Sequence, residues 1–333
     1  MAVYTQIDNP ELFFQCKIYT GTGTSTAFTL DGDEDMQPDL VWLKYRNASD
    51  SHALYDSVRG TQEILQSDRD SAEISQDNGL SAFGSDGFTI GDNGQINTSS
   101  GLYVAWCWKE STTAGFDIVL YTGNGSNRTI AHGLSAKPDM IIAKSRSNVL
   151  NWKVGHEGLA GAGAGWTNYM NLDETGGIGT ASIIWQDTAP TSSVWSLGDS
   201  NLNTDTYTYV AYLFAPKQGF SKFGSYVGNG SSDGAFVYTG FRPAYVMIKD
   251  TTGSSEPWEV YDNKRLGYNE SNSELYPSTT SAEQANTRIL LFSNGFKANI
   301  NSAGVNGSGN TYIYMAFAEA PFVNSNGVPC NAR

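Results

Sequence analysis

The strongest constraint on the fold of this 333-residue chain is an internal repeat. A Tyr-x-Gly-x-Gly element begins at Tyr19, Tyr121 and Tyr226, at intervals of 102 and 105 residues. Each element precedes a proline, an apolar run and a lysine, at Pro38–Lys44, Pro138–Lys144 and Pro243–Lys249. The element lacks the lysine and hydroxyl residue of a phosphate-binding loop, and its recurrence predicts a structural turn.

Each copy closes with an aromatic segment, at Tyr103–Trp106, Tyr209–Tyr212 and Tyr314–Phe317. Anchors that recur at one period predict three tandem units of about 100 residues. We place the units at residues 16–110, 111–217 and 218–322, the second being the most divergent. Residues 1–15 are predicted to form an N-terminal attachment arm, and residues 323–333 a C-terminal tail.

The repeated segments predict an all-β chain. Thirty-six glycines and 41 aromatic residues accompany many Asp-Gly and Asn-Gly turns between short apolar runs, a pattern typical of antiparallel hairpins. The runs after each proline are continuously apolar, as expected where a second sheet or a neighbouring unit covers both faces. We therefore predict three antiparallel β-sandwiches, of jelly-roll or lectin-like type. Weak helical patterns at 57–66 and 69–75 predict at most short turns of helix.

The net charge of −14 argues against nucleic-acid binding, because phosphate contacts need clustered Lys and Arg. No run of 18 apolar residues is present, so we predict no membrane insertion. The first residues lack the pattern of a signal peptide, and we expect synthesis in a cytoplasm. The widely spaced Cys16, Cys107 and Cys330 exclude a dense disulfide framework. The first two, in apolar runs, are predicted to be buried thiols.

Candidate catalytic residues are few, and we predict that the protein is not an enzyme. His52, His132 and His156 are the only histidines, and each is most simply a polar loop residue. Glu256, Glu259 and Asp262 form the best local carboxylate cluster for glycoside hydrolysis. However, Asp262 occupies the same repeat position as Asp56, which favours a turn or salt bridge with Arg265 and Arg59.

A cation site and a glycan surface are the two binding hypotheses. Asp31, Asp33 and Asp35 alternate as in the start of a calcium loop, but the glycine and terminal glutamate of an EF-hand are missing. Calcium is therefore the only candidate cofactor. The alternative interpretation of these residues is a solvated acidic loop that binds no metal. A glycan-binding surface would use exposed aromatic rings, with core packing as the alternative reading for each candidate. The candidate rings are those of Trp152, Trp166, Trp185, Trp195 and Trp258.

A further set of motifs runs along the chain: Asn9-Pro10 before Phe13-Phe14, Tyr19–Gly23, Pro38–Lys44, Asp56–Gly60, Ser85–Phe88, Tyr103–Lys109 and the ending Ala318–Phe322 with 324–333. Together these motifs resemble a repeat domain of tail-fibre-like or uncharacterised virion structural proteins from marine tailed phages, cyanophages included. The similarity covers nearly the whole chain and is strongest in unit one.

The resemblance implies a location on the exterior of a phage particle that is assembled in the host cytoplasm. It carries over no catalytic residues. We therefore expect a tail-fibre or tail-associated appendage that binds other virion proteins through the arm or the tail, as a homo-oligomer. The alternatives are a capsid decoration or head-fibre protein, and a protein that binds or degrades a host-surface glycan.

Overall fold

The structure is a computed structural model that describes residues 4–159, 166–198, 201–253, 255–265 and 273–330. The ends of the predicted arm and tail, residues 1–3 and 331–333, lie outside the described residues. Almost all regular structure is antiparallel β, which confirms the all-β prediction.

Unit one contains a four-stranded main sheet, a three-stranded small sheet and a short two-stranded ribbon. Its strands are β1 (Phe14–Thr20), β2 (Thr26–Phe28), β3 (Leu40–Tyr45), β4 (Ala53–Asp56), β5 (Glu63–Ile64), β6 (Ile74–Ser75), β7 (Leu80–Gly84), β8 (Gly87–Ile90) and β9 (Leu102–Trp108).

Unit two has a six-stranded main sheet and a two-stranded small sheet. Its strands are β10 (Phe116–Thr122), β11 (Arg128–Ala131), β12 (Met140–Ser145), β13 (Lys153–His156), β14 (Asn168–Asn171), β15 (Gly179–Thr180), β16 (Val194–Leu197) and β17 (Thr208–Phe214).

Unit three has a four-stranded main sheet and a three-stranded small sheet. Its strands are β18 (Ser221–Val227), β19 (Phe236–Tyr238), β20 (Phe241–Asp250), β21 (Glu259–Asp262), β22 (Ile289–Phe292), β23 (Gly295–Ala298) and β24 (Thr311–Pro321).

In the described residues, helix is confined to single turns. These are two 3-10 turns, Pro10–Leu12 and Glu157–Leu159, and two short α-helices, α1 (Gly94–Asn97) and α2 (Ser182–Trp185). The predicted helical turns at 57–66 and 69–75 are wrong. Those segments hold the short strands β5 and β6, which pair with each other, because a partner strand outweighs a weak helical pattern.

The three main sheets share one strand order. It is β1-β9-β3-β4 in unit one, β10-β17-β12-β13 in unit two and β18-β24-β20-β21 in unit three. The order supports the prediction of three tandem units with a common ancestor. That origin, and the jelly-roll or lectin-like subclass, stay predictions.

The register of the first and last strands corrects one sequence match. Tyr19 lies opposite Tyr103 and Tyr121 opposite Tyr209, but Tyr226 lies opposite Tyr312. The counterpart of Tyr103 is therefore Tyr312, two residues before the Tyr314 that the sequence pattern selects. A shift of two residues keeps every side chain on the same face of a strand, so the aromatic pattern fits both registers. The paired tyrosine rings stack with centroids 5.0, 5.0 and 4.9 Å apart.

Each Tyr-x-Gly-x-Gly element turns around a fully buried asparagine, namely Asn97, Asn203 or Asn306. The asparagine side-chain oxygen accepts a hydrogen bond from a backbone N–H of the turn, at 2.7, 3.2 and 3.0 Å respectively. The second glycine of each element has φ between +63° and +72°, a conformation that glycine adopts without strain. The three turns are thus built alike.

In units one and two, the two faces of the main sheet bury different cores. In unit one, Val41 and Leu43 face the unit's own small sheet, whereas Leu40 and Trp42 face a cluster that contains residues of all three units. Alternation along the strand sends neighbouring side chains to opposite faces. The continuous apolar runs therefore reflect burial on both sides, as the sequence predicted.

A shared core lies where the inner faces meet. Phe14, at the start of β1, packs against Phe317 of unit three, and Trp108 of unit one packs against Tyr245 of unit three. Phe214 of unit two packs edge-on to Phe317 at 5.9 Å. A void of about 10 Å³ lies among side chains from the three units. Each unit contacts both of the others, so the three units form a closed ring, an arrangement that the sequence left open.

Three equivalent lysines close the joints of this ring. The amine of Lys44 donates to Thr280 O of unit three at 3.1 Å. Lys144 donates to Asp70 O of unit one and Lys249 to Thr175 O of unit two, both at 3.0 Å. Burial lowers the pKa of each lysine to about 8. The joints therefore repeat in cyclic order: the lysine of unit one binds unit three, that of unit two binds unit one, and that of unit three binds unit two.

A second set of hydrogen bonds repeats in the same order. The Nε1–H of Trp152 donates to Gln66 O of unit one and that of Trp258 to Asn171 O of unit two, both at 2.9 Å. In unit one the corresponding residue is His52, whose Nδ1 accepts from Trp42, so its Nε2–H donates to Tyr276 O at 2.9 Å. The indoles of Trp152 and Trp258 and the neutral imidazole of His52 thus each donate a hydrogen bond to a backbone carbonyl of a neighbouring unit.

The strand directions give the ring two distinct ends. The Tyr-x-Gly-x-Gly turns follow β1, β10 and β18 at one end, which we call the turn end. The connections between units and the described terminal residues lie at the other, the linker end. There Gln6 N–H donates to Gln218 O at 3.0 Å, and Ser325 N–H donates to Asp8 at 2.7 Å. The predicted arm therefore packs on the molecule from Thr5 onward, and strand β1 begins within it at Phe14.

Candidate functional site

The structure places two of the three histidines in the joints. His52 and His156 are fully buried, and His156 Nε2 lies 3.1 Å from Tyr314 O of unit three. Burial lowers the pKa of His156 to about 4, so its ring is neutral at pH 7. His132 lies at the surface, where its ring is 3.2 Å from Thr191 O. Within the described ranges, the ring of neither buried histidine is hydrogen-bonded to a Ser or Cys side chain.

The carboxylates of Asp56 and Asp262 form the predicted salt bridges. Asp56 pairs with Arg59, and Asp262 Oδ2 lies 2.6 Å from Arg265 Nε. Both acids also bind a neighbouring unit: Tyr212 O–H donates to Asp56 and the indole of Trp106 donates to Asp262. The two acids are therefore structural groups of the ring joints.

Glu259 belongs to a cluster that the sequence did not reveal. Its carboxylate accepts hydrogen bonds from Tyr261 and from Arg288, the latter at 2.8 Å, and Arg288 also binds Glu274 at 2.6 Å. Burial raises the pKa of Glu259 to about 7, against the lowering effect of Arg288. Glu259 and Glu274 are fully buried between the two sheets of unit three, and neither lines a cavity described below.

The predicted calcium ligands do not converge. Asp31 pairs with Lys17, and Asp33 N–H donates to Glu11 at 2.9 Å. Among the described residues, no group of three or more His, Cys, Asp or Glu side chains is placed to hold a metal ion. Calcium binding through Asp31, Asp33 and Asp35 stays a prediction with no geometric support in this part of the chain.

The five candidate tryptophans are all buried, each no more than 2% exposed. Core packing, the alternative in the sequence analysis, describes every one of them. A glycan surface made from these rings is excluded by their burial, because stacking requires an open ring face.

Other aromatic rings are exposed together on the small sheet of unit three. Phe236, Tyr238 and Phe292 are 49%, 54% and 37% exposed. Phe236 and Tyr238 occupy alternate positions of β19 and therefore share its outer face. The Phe292 ring packs edge-on to that of Phe236 at 6.0 Å. We call these three residues the aromatic shelf.

The other units lack the aromatic shelf at the equivalent positions. The strand pairing aligns Phe236 and Tyr238 with two outward positions in each of the other small sheets. Those positions hold Ala27 and Thr29 in unit one, and Thr129 and Ala131 in unit two. A small sheet of this type therefore folds without aromatic residues on its outer face, and the shelf is specific to unit three.

A groove of about 490 Å³ lies beside the aromatic shelf, a volume typical of ligand sites. Tyr238 and Lys222 form its border with the shelf, and Gln6, Gln218 and Ser221 contribute polar groups. The Lys222 amine donates to Tyr238 O at 2.6 Å and lies 5.4 Å from the centre of the Tyr238 ring.

A position-by-position comparison of the three units could have revealed the shelf. The segment Phe236-Val237-Tyr238 is apolar at three consecutive positions, so the sequence alone does not indicate which face is buried. The aligned segments of units one and two carry small or hydroxyl residues at the outward positions. That contrast is the available signal.

A second cavity, of about 290 Å³, lies at the linker end between units one and three. It is lined in part by Glu11, Gln15, Asn263 and Lys264. It lies next to the described terminal residues.

Residues 9–321 match a protein family described as Domain of unknown function (DUF7483). No curated protein matches the chain. No helix in the described ranges is long and apolar enough to cross a membrane.

Proposed function

Because this chain belongs to the DUF7483 family, whose function is unknown, we propose its role from its own architecture: it is a non-enzymatic structural component of a tailed-phage virion. Specifically, it is a compact tail-fibre or tail-associated appendage on the particle exterior. It is attached at its linker end and adhesive elsewhere. The proposal combines the sequence resemblance to virion repeat domains with the closed ring.

The observation that carries the proposal is the use of the buried polar groups. Asp56, Asp262, His52 and His156 bind neighbouring units, and Lys44 with its two counterparts does the same. These groups hold three sheets in one body instead of lining a reactive cleft. Such a body is suited to mechanical attachment and surface contact.

The linker end is the proposed attachment surface. Asp8 and Ser325 join the two terminal segments there, and the 290 Å³ cavity lies close by. A partner virion protein bound at this end would leave the turn end and the small sheets free. We also expect the appendage to be a homo-oligomer, which light scattering of the purified protein would test.

Immunogold labelling of virions tests the location. Antibodies raised against the purified chain should label the tail or a tail appendage of the phage that encodes it. Label on the head would favour the alternative of a capsid decoration or head-fibre protein. Absence of the chain from purified particles, checked by mass spectrometry, would refute a virion role.

Glycan degradation is the competing function, and the Glu259 cluster is the observation that favours it. Two buried carboxylates bridged by Arg288, one with a pKa near 7, resemble the paired acids of glycosidases. The direct assay is sugar release from host lipopolysaccharide and capsule. Release that disappears in a folded Glu259→Gln variant would overturn the non-enzymatic proposal.

A further inference from the structure

The aromatic shelf and its groove have features that the fold of unit three does not require. Isolated exposed apolar residues are ordinary, but a contiguous aromatic group bordered by polar residues marks a binding surface. Phe236 and Tyr238 stand where the equivalent sheets carry Ala27, Thr29, Thr129 and Ala131. We infer that the shelf and the groove bind a polysaccharide whose sugars carry carboxylate groups.

The shape of the shelf suits sugar rings. Phe236 and Tyr238 are two residues apart on one strand, which separates them by about 7 Å along the sheet. No side chain intervenes at Gly295, where an added Cβ would lie only 3.0 Å from the Phe236 ring. The C–H face of a pyranose is apolar and would be removed from water against these rings.

The groove supplies the polar half of the site. The exposed side chains of Gln6 and Gln218 offer amide groups beside the ring of Tyr238. The hydroxyl edges of a sugar both donate and accept hydrogen bonds, as these groups do. A chain of sugars could therefore lie with one residue on the shelf and the next in the groove.

The charge at the border selects an acidic sugar. Among the described residues, no carboxylate lies within 4.0 Å of the Lys222 amine, whereas Lys297, on the small sheet of unit three, pairs with Asp233. Partial burial lowers the pKa of Lys222, so a bound carboxylate would stabilise its charged form. The net charge of −14 would repel an acidic sugar, but salt screens this repulsion at distances beyond about 10 Å.

A second copy of the chain fits this surface less well. The three rings, half exposed, offer about 300 Å², whereas a stable dimer buries about 800 Å² on each partner. An isologous contact would also bring Lys222 of two copies together. These considerations favour a glycan over self-association.

A glycan array that contains neutral and uronate-bearing polysaccharides tests the inference. The wild-type chain should bind uronate-bearing glycans, with an affinity that falls as salt rises. Tyr238→Ala and Phe236→Ala should each weaken binding by at least about tenfold, as truncation of a central aromatic contact does. Lys222→Gln should remove the preference for acidic over neutral sugars.

Thr129→Ala is the matched control, because it changes the equivalent outward position in unit two. It should leave binding unchanged, and all variants should retain the wild-type melting temperature. The inference is overturned if no uronate-bearing glycan binds, if the shelf variants bind normally, or if Phe236→Ala instead abolishes a dimer seen by light scattering.

This assignment names the ligand of the adhesive role proposed above and rests on it. The two experiments fail separately. If antibodies label the tail but the purified chain binds no acidic glycan, the proposed ligand is refuted and the virion role stands. Glycan binding by a chain absent from virions would do the reverse.

Discussion

Replacement of Asp262 by Asn should destabilise the whole ring, because this side chain joins units one and three. Its Oδ2 accepts hydrogen bonds from the indole N–H of Trp106 at 2.9 Å and from Arg265 Nε at 2.6 Å. The side chains of Asp262 and Arg265 are at most 1% exposed. Asp262→Asn keeps the shape of the side chain but removes its negative charge, so the buried positive charge of Arg265 loses its nearest carboxylate.

The expected loss is about 3–5 kcal/mol, the usual result of removing one partner from a buried ion pair. We expect the lower half of that range, because Glu283 remains 3.2 Å from Arg265. With about 2.1 cal/mol/K of unfolding entropy per residue, a loss in the lower half of that range would lower the melting temperature of a 333-residue chain by about 4–6 °C.

Urea denaturation followed by tryptophan fluorescence and by circular dichroism is the assay. Both probes should report one transition, because the units share a core. Arg265→Met alone should also destabilise, but the double variant should recover at least about 2 kcal/mol relative to the sum of the single losses. Asp233→Asn, which removes an exposed ion pair with Lys297, serves as the control and should cost at most about 1 kcal/mol.

A loss below about 1 kcal/mol for Asp262→Asn would show that the pair contributes little, which would contradict the reasoning. Two separate transitions in the wild-type chain would contradict the shared core. Additive losses in the double variant would mean that Asp262 and Arg265 act independently, despite the short contact between them.

Three further predictions follow from buried groups. Asn97→Ala and Asn306→Ala remove equivalent turn contacts, so each should cost a similar amount, about 1–3 kcal/mol by denaturation; a large loss at one site alone would argue against equivalence. The folded-state pKa of Glu259, about 7, exceeds its unfolded value, so the folded state holds an extra proton between about pH 4.5 and 7. The stability of the wild type relative to Glu259→Gln should therefore fall by up to about 3 kcal/mol as pH rises through that window, and a flat difference would contradict the assignment. Cys330 should react with a thiol reagent in the folded chain, whereas the other two thiols, buried and with raised pKa, should react only after unfolding; mass spectrometry of the labelled protein would show one adduct or three.

Local chemistry in the sequence was sufficient for the β character, the turns and the Asp-Arg pairs. Asp-Gly turns, two-residue alternation and the three-residue spacing of Asp262 and Arg265 involve only neighbouring residues. These features could therefore be predicted without knowledge of the distant parts of the chain. The threefold period also belongs to the sequence, and the common strand order supports its interpretation as tandem units.

Long-range packing decided the rest. Whether Trp152 is buried and Phe236 exposed depends on which sheet or unit covers each strand face, and apolar runs look alike in both cases. The sequence match for the last strand of unit three was two residues away from the observed register, because alternation of side chains cannot distinguish such a shift. The ring and the shared core arise from contacts between residues more than one hundred positions apart, and the aromatic shelf joins residues more than fifty positions apart. A local pattern encodes none of these contacts.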